Sequence, residues 1–416
     1  MPKKILFVTS FPPFPMDRSG GGIRSRLLLD ALSTCGQVSI FYLNYRGADH
    51  DLQKIPESPF SDGTLRLSKS VLIPGHGTGK VGAYAAKAFD FVAGRGMAAA
   101  GLRVSKEARR LMGEMIDRGE VDLVVGRLSR PTAVAGLLEE LRVPLIVDAD
   151  DWEPSRTIAQ IRATPAHNLP LRVFLHRYLQ GSQALGDRLL ERADHVWLAS
   201  EADTAMLARP NVTTLPNLPL AKAGESITPL ARSDRASKTL FAVGQWSRSQ
   251  NSDGMKWFLR SVWPLLFERM PEAELRISGD TPEALAREWR ALPNVRPLGF
   301  VDDLRAEYEK AALVAAPITW GGGTKIKVLE ALAYGRVPVG PDHAFDGLAD
   351  VSSVQTIAAV ENDPARTAET IASLLDDPQA RHTREAAAVE YYRENYSVAA
   401  FNRHVRNTVE QVIGPE

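Results

Sequence analysis

One cysteine, Cys35, stands in 416 residues, so no disulfide can close within the chain. That excludes the stapled scaffolds of small secreted domains. Net charge is also missing: 50 Lys and Arg stand against 50 Asp and Glu. The halves differ only modestly, with 27 basic against 23 acidic residues in 1–220 (+4) and 23 against 27 in 221–416 (−4). A nucleic-acid binder would show a strong basic stripe, so no nucleic-acid partner is expected. No stretch approaches the roughly 20 apolar residues that a membrane-spanning helix needs. At the N-terminus, Ile5–Val8 follows two lysines and is stopped by Pro12, Pro13 and Pro15, too short for a signal peptide. These absences give a cytoplasmic expectation. The histidines show no ligand spacing among themselves or with Cys35, so no zinc site is expected, and no Ser/His/Asp set is recognisable from spacing.

What is present is a repeated alternation of short apolar runs and helical patterns. Lys3–Thr9 ends at Ser and Pro as a buried parallel strand does, and Ile23–Leu32 repeats leucine at helical spacing before a second run, Gln37–Leu43. The order strand, loop, helix, strand is a βαβ unit. It recurs as strand 121–125, helix 131–141, strand 143–147, helix 171–192 and strand 195–200. Around Pro216-Asn217-Leu218-Pro219 the pattern breaks in a Pro-, Gly-, Ser- and Ala-rich segment reaching about Ser237, which reads as a linker. A fresh series follows: strands at 239–243, 274–278, 295–298, 313–316 and 337–339, with helices at 254–269, 282–291, 304–311 and 324–334. The expectation is two Rossmann-like, doubly wound α/β domains, 1–217 and 218–390. A helical tail over 391–416 is expected to cross back to the first.

The sharpest segment is Pro317–Val339, PITWGGGTKIKVLEALAYGRVPV. A strand runs into glycines and then a helix, so backbone N–H groups and a positive helix end converge where an anion can sit. Lys325 and Lys327 add charge there. Glu330, three residues after Lys327, shares its helix face and suits paired ribose hydroxyls. The competing reading is a glycine turn capping a helix with a surface Glu–Lys pair.

That segment resembles the donor-binding signature of family 4 (group 1) retaining glycosyltransferases of the GT-B fold. Further resemblances follow in order: Pro12-Pro13 through Gly20-Gly21-Gly22, Ala193-Asp194, Leu215-Pro216-Asn217, Phe241–Gly244, Pro271–Gly279 and Gly299-Phe300-Val301. The resemblance implies an acceptor-binding first domain and a donor-binding second domain. It also implies retaining transfer from a nucleotide-sugar to a hydroxyl of a glycan, lipid-linked or other acceptor, in bacterial surface polysaccharide or glycoconjugate synthesis, without cofactor or essential metal. Donor contacts are expected from Gly21, Gly22, Gly244, Gly322, Gly323, Thr324 and Glu330, with Lys327, Lys325 and Arg248 stabilising the departing diphosphate. Lys327 is expected to face the nucleotide and Lys325 to point toward solvent or the domain interface. Two departures stand out. Family members often carry a glutamate where this chain has Gly322, and basic residues where it has Gln245 and Asn251, which leaves Arg248 as the nearby cation.

Asp148-Ala149-Asp150-Asp151-Trp152-Glu153 follows an apolar run, and its carboxylates need a partner or solvent. Asp148, Asp150, Asp151 and Glu153 are expected to face the acceptor, with Arg156 as a charge partner. The alternatives are a solvated acidic loop or, from the DxD triplet, the metal signature of a different glycosyltransferase fold. Residues 80–118 carry eight basic against four acidic residues with interleaved apolar ones. This pattern fits either a helix face packed on the core or peripheral contact with an anionic membrane. Rival functions are a nucleotide-sugar epimerase or phosphorylase of the same fold, and a non-catalytic sugar-nucleotide-binding scaffold.

Overall fold

The computed structural model describes residues 2–11, 20–44, 65–72, 102–222, 225–321, 325–349 and 351–414. They fall into two compact units, Met1–Pro216 with Phe401–Glu416, and Asn217–Ala400.

The first unit is built on a seven-stranded parallel sheet: β1 (Lys4–Thr9), β2 (Gln37–Asn44), β3 (Leu65–Leu72), β4 (Leu123–Arg127), β5 (Leu145–Asp150), β6 (His195–Leu198) and β7 (Val212–Thr214), in the order β3-β2-β1-β4-β5-β6-β7. β1 and β4 are apolar almost throughout because both faces of a parallel strand are covered. Leu6, Val8 and Val124 share a core with Leu111, Met112 and Met115 of the helix Lys106–Asp117. Over its described part, the basic stretch 80–118 thus spends its apolar side chains on this core; its residues 80–101 lie outside the described residues. The last helix, Val398–Ile413, belongs largely to this unit. Trp197 Nε1 donates to Thr408 Oγ1 at 3.2 Å, and Thr213 Oγ1 lies 2.8 Å from His195 Nε2 and 3.0 Å from His404 Nε2.

The segment read as a linker is strapped down. It forms a small antiparallel pair, β8 (Leu220–Lys222) with β9 (Glu225–Ser226). Beyond it, Arg336 donates to the Ala231 carbonyl at 3.0 Å, and Arg381 donates to Ser233 Oγ at 2.8 Å and to the Asp234 carbonyl at 2.9 Å. These buried arginines satisfy carbonyls of an irregular segment, which explains how a Pro-rich stretch lies against a core.

The second unit has a six-stranded parallel sheet: β10 (Thr239–Val243), β11 (Glu274–Ser278), β12 (Val295–Gly299), β13 (Leu313–Ala315), β14 (Val337–Gly340) and β15 (Ala359–Val360), in the order β12-β11-β10-β13-β14-β15. Both sheets are doubly wound, and the strand order reverses between β10 and β13. In such sheets the crevice beyond the carboxyl ends of those two strands is where ligands bind. Two glycines let the chain close up there. Gly279 has φ +114°, and a side chain on it would meet the Gly244 carbonyl oxygen at 1.9 Å. Gly254 lies so close to Pro317 that a Cβ would stand 1.6 Å from its carbonyl oxygen.

Candidate active site

Gly244 ends β10, and the loop after β13 leads to the helix Ile326–Ala333, so the reversal point places both beside each other. The helix is short and apolar (IKVLEALA), with Val328, Leu329, Ala331 and Leu332 buried. Its remaining face carries Lys327 and Glu330.

Lys327 reaches across to Gly244: its ammonium would lie 3.2 Å from a Cβ there, so glycine is what leaves room for it. The ammonium donates to Asn251 Oδ1 at 2.5 Å and sits 5.6 Å from the centre of the Trp246 ring. Asn251 in turn donates to the Gln245 carbonyl at 2.7 Å, fastening the loop after β10. Burial, then the nearby Arg248 charge, lowers the Lys327 pKa to about 8, against a smaller opposing pull from Glu330. Arg248 is exposed and caps the helix Ser249–Trp257 through its backbone. Lys327 is therefore a partly desolvated ammonium next to a second cation, a setting that an incoming diphosphate would relieve.

Glu330 accepts a hydrogen bond from Tyr308 Oη at 3.1 Å. Burial raises its pKa to about 7, with Tyr308 and then Lys327 pulling the other way. Tyr308 is fully buried, edge-on to Phe241 at 5.0 Å and stacked on Tyr334 at 4.4 Å, so the carboxylate is anchored on a rigid aromatic stack.

Lys325 departs from its expected orientation. The helix begins one residue later, and Lys325 is only 7% exposed. Its ammonium donates to the Gly321 carbonyl at 2.8 Å, and His343 Nε2 lies 2.8 Å from the same oxygen. The side chain does not point into solvent; it holds the start of the glycine loop. Gly322, Gly323 and Thr324 lie outside the described residues.

In the first unit, Gly21 and Gly22 lie in the first turn of the helix Gly20–Ser33, and a Cβ on Gly21 would strike the Phe11 ring at 2.7 Å. The same helix carries Arg24, which meets the acidic end of β5. Asp148 does not face outward as expected. It is fully buried, held by Arg24 Nη2 at 2.6 Å and by Arg127 Nη1 at 3.2 Å. Two guanidinium groups on one carboxylate leave it a structural keystone and put cations where a DxD metal site would need an ion. Asp150 is partly exposed, as is Asp151: its side chain is 19% exposed and 2.8 Å from Arg127 Nη2, with φ +65°. Leu128, on the neighbouring strand end, is also left-handed at +68°, and such strain persists where surrounding structure over-determines the backbone. Asp151 has its pKa raised by burial and by Asp150, with Arg156 opposing. Glu153 pairs with Arg130 at 3.0 Å and accepts from Tyr178 rather than meeting Arg156.

The geometry thus brings together Gly244, Arg248, Lys327 and Glu330 in the second unit, and Arg24, Asp148 and Asp150 in the first. Asn251, Trp246, Tyr308 and His343 join the second-unit group without having been singled out as contributors. Asn251 drew notice only as a position lacking a basic residue; for Tyr308, 22 residues before Glu330, the sequence carries no signal.

Residues 237–377, all within the second unit, match the family of glycosyl transferases group 1. No curated protein matches the chain in sequence. Solved structures match along nearly its whole length. Sucrose-phosphate synthase of Thermosynechococcus elongatus is 15% identical, with a TM-score of 0.64 and 98% of each chain covered. HepE of Anabaena in complex with UDP is 13% identical, at 0.61, covering 98% of this chain and 100% of that one. An S. aureus TarM variant bound to Fondaparinux, alpha-GlcNAc-glycerol and UDP is 10% identical, at 0.59, with both chains fully covered. At such identities the likeness speaks for the fold, which is GT-B: two Rossmann-like units.

Proposed function

We propose that this chain, whose residues 237–377 match the glycosyl transferases group 1 family, transfers a sugar from a nucleoside-diphosphate donor to an acceptor hydroxyl with retention of anomeric configuration. The observation that carries the reading is the Lys327–Gly244–Glu330 group at the strand-order reversal of the second sheet. In this account the diphosphate sits against Gly244 and the start of the helix Ile326–Ala333, and Glu330 takes the ribose hydroxyls. Lys327, Lys325 and Arg248 supply the positive charge that a divalent ion supplies elsewhere. Negative charge grows on the bridging oxygen as the donor's glycosidic bond breaks, and cations already fixed at that point lower the barrier without reorganising. The acceptor hydroxyl then attacks the face the diphosphate leaves. Asp150, Asp151 and Arg156 of the first unit are assigned to the acceptor. The reported complexes of HepE and TarM contain UDP, which makes a uridine donor the first to try.

The test is turnover: release of nucleoside diphosphate from UDP-, GDP-, dTDP- and ADP-sugars, with and without glycan or lipid-linked acceptors, and product anomers read by NMR. Acceptor-dependent release with the donor's anomeric configuration kept supports the proposal. Conversion of the donor without acceptor would instead indicate an epimerase, and donor binding without turnover a scaffold. Activity should persist in EDTA; complete loss reversed by Mn²⁺ or Mg²⁺ would overturn the metal-free account.

A further inference from the structure

From Pro154 to Gly186 the chain contains Arg156, Arg162, Arg172 and Arg177 and not one aspartate or glutamate. These residues form a helical hairpin of the first unit, Glu153–Ala163 packed on Leu169–Arg192. Its turn is built firmly. Asn168 Oδ1 accepts from the Leu171 amide at 3.3 Å, and Arg172 donates to the carbonyls of Ile161 at 3.4 Å and Thr164 at 3.0 Å. Yet the tip carries apolar side chains into solvent: Leu169 and Val173 are each 65% exposed and Phe174 46%. Leu169, Pro170, Val173 and Arg177 fall on one helix face, while Leu175, Leu185 and Leu189 serve the core from another.

We infer that this hairpin tip is a docking surface for an anionic lipid bilayer. A scattered exposed leucine needs no explanation, but apolar residues clustered on one rigid turn do. A bilayer interface takes apolar side chains to the depth of the acyl boundary while basic neighbours meet the headgroups. A second copy fits poorly, because two-fold pairing of this surface would set Arg162 and Arg177 against the same pair, and the hairpin from Pro154 to Gly186 offers no carboxylate to meet them. The inference is independent of the transfer reaction and concerns a different segment from the membrane contact expected at residues 80–118.

Flotation of the full chain with vesicles tests it, using phosphatidylcholine alone or mixed with phosphatidylglycerol. Binding is expected only to the mixed vesicles and should weaken with salt. Leu169→Ser/Val173→Ser and Arg162→Glu/Arg177→Glu should each reduce it about tenfold or more, with unchanged melting temperature and donor binding. Wild-type protein that ignores mixed vesicles at low salt would overturn the inference, as would variants that bind equally well. A dimer that the Leu169→Ser/Val173→Ser variant dissociates would also overturn it, by showing that a second copy covers the tip.

Discussion

At the level of single residues, the proposed donor recognition turns on two side chains, one carboxyl with a raised pKa and one ammonium with a lowered one. Glu330 titrates near 7 and Lys327 near 8 without donor, as a coupled pair. Ribose hydroxyls favour the ionised carboxylate, so affinity falls as pH drops below about 7 and Glu330 takes up a proton. A diphosphate favours the ammonium, so affinity falls as pH rises above about 8 and Lys327 loses its proton. Calorimetry from pH 6 to 9.5 should therefore show a narrow optimum; Glu330→Gln removes the acid limb and Lys327→Met the alkaline one. A flat profile in the wild type would rule out both roles. The two lysines should also separate kinetically. Lys327→Ala lowers kcat more than it raises donor KM, because its interaction strengthens as charge develops. Lys325→Ala acts chiefly on KM, since Lys325 holds the Gly321 carbonyl. Steady-state kinetics in which Lys325→Ala loses the more kcat would exchange the roles.

Secondary-structure elements explain why some of this was readable in the sequence and some was not. The strand Thr239–Val243 falls where it was expected because it is a compact apolar run, and Glu274–Ser278 because its leucine and isoleucine alternate with charged residues between two helical patterns. Leu65–Leu72 escaped notice: it is an edge strand, LRLSKSVL, whose polar alternation lacks a continuous run. The helix expected over 131–141 stops at Val134, with Gly136 in the left-handed region at +82°. The helix expected over 254–269 starts earlier, at Ser249, and contains a π-helical turn, Phe258–Val262. Pro264 follows directly; it has no N–H for the Arg260 carbonyl and its ring crowds that oxygen, which widens the turn. The helix Ile326–Ala333 was legible from the glycines and lysines around its start, whereas Tyr308 was not, because the Tyr308–Glu330 contact depends on tertiary packing. Two tests belong here. Gly279→Ala forces a side chain onto the Gly244 carbonyl at a positive φ and should destabilise the second unit by about 2 kcal/mol or more in urea. The docking of Val398–Ile413 rests on His195 and His404, both held neutral by burial, with the His195 pKa lowered to about 4. An unfolded chain binds protons to these rings below about pH 6.5 that the folded one refuses, so stability falls from there toward pH 4. His404→Gln should shrink the melting-temperature difference between pH 7 and pH 5.

Across the whole molecule, two doubly wound units each gather charged side chains at the carboxyl ends of their parallel strands. In the second unit this yields a compact cationic group with one carboxylate. In the first, a buried Arg24–Asp148–Arg127 cluster sets the strand end from which Asp150 emerges. The sequence alone could not distinguish Asp148 from Asp150. Adjacent carboxylates look alike until the fold buries one between two arginines. The account's central claim is that a nucleoside diphosphate binds against Gly244 and Lys327. Its most direct test is calorimetric titration of the wild type and Lys327→Ala with UDP, GDP, dTDP and ADP, with melting temperatures recorded alongside. The predicted result is that one of the four binds the wild type and loses about tenfold to a hundredfold in the variant, the loss of one charge-assisted contact worth about 1.5–3 kcal/mol. No binding by any of the four, or equal affinity in a variant that melts normally, would contradict it.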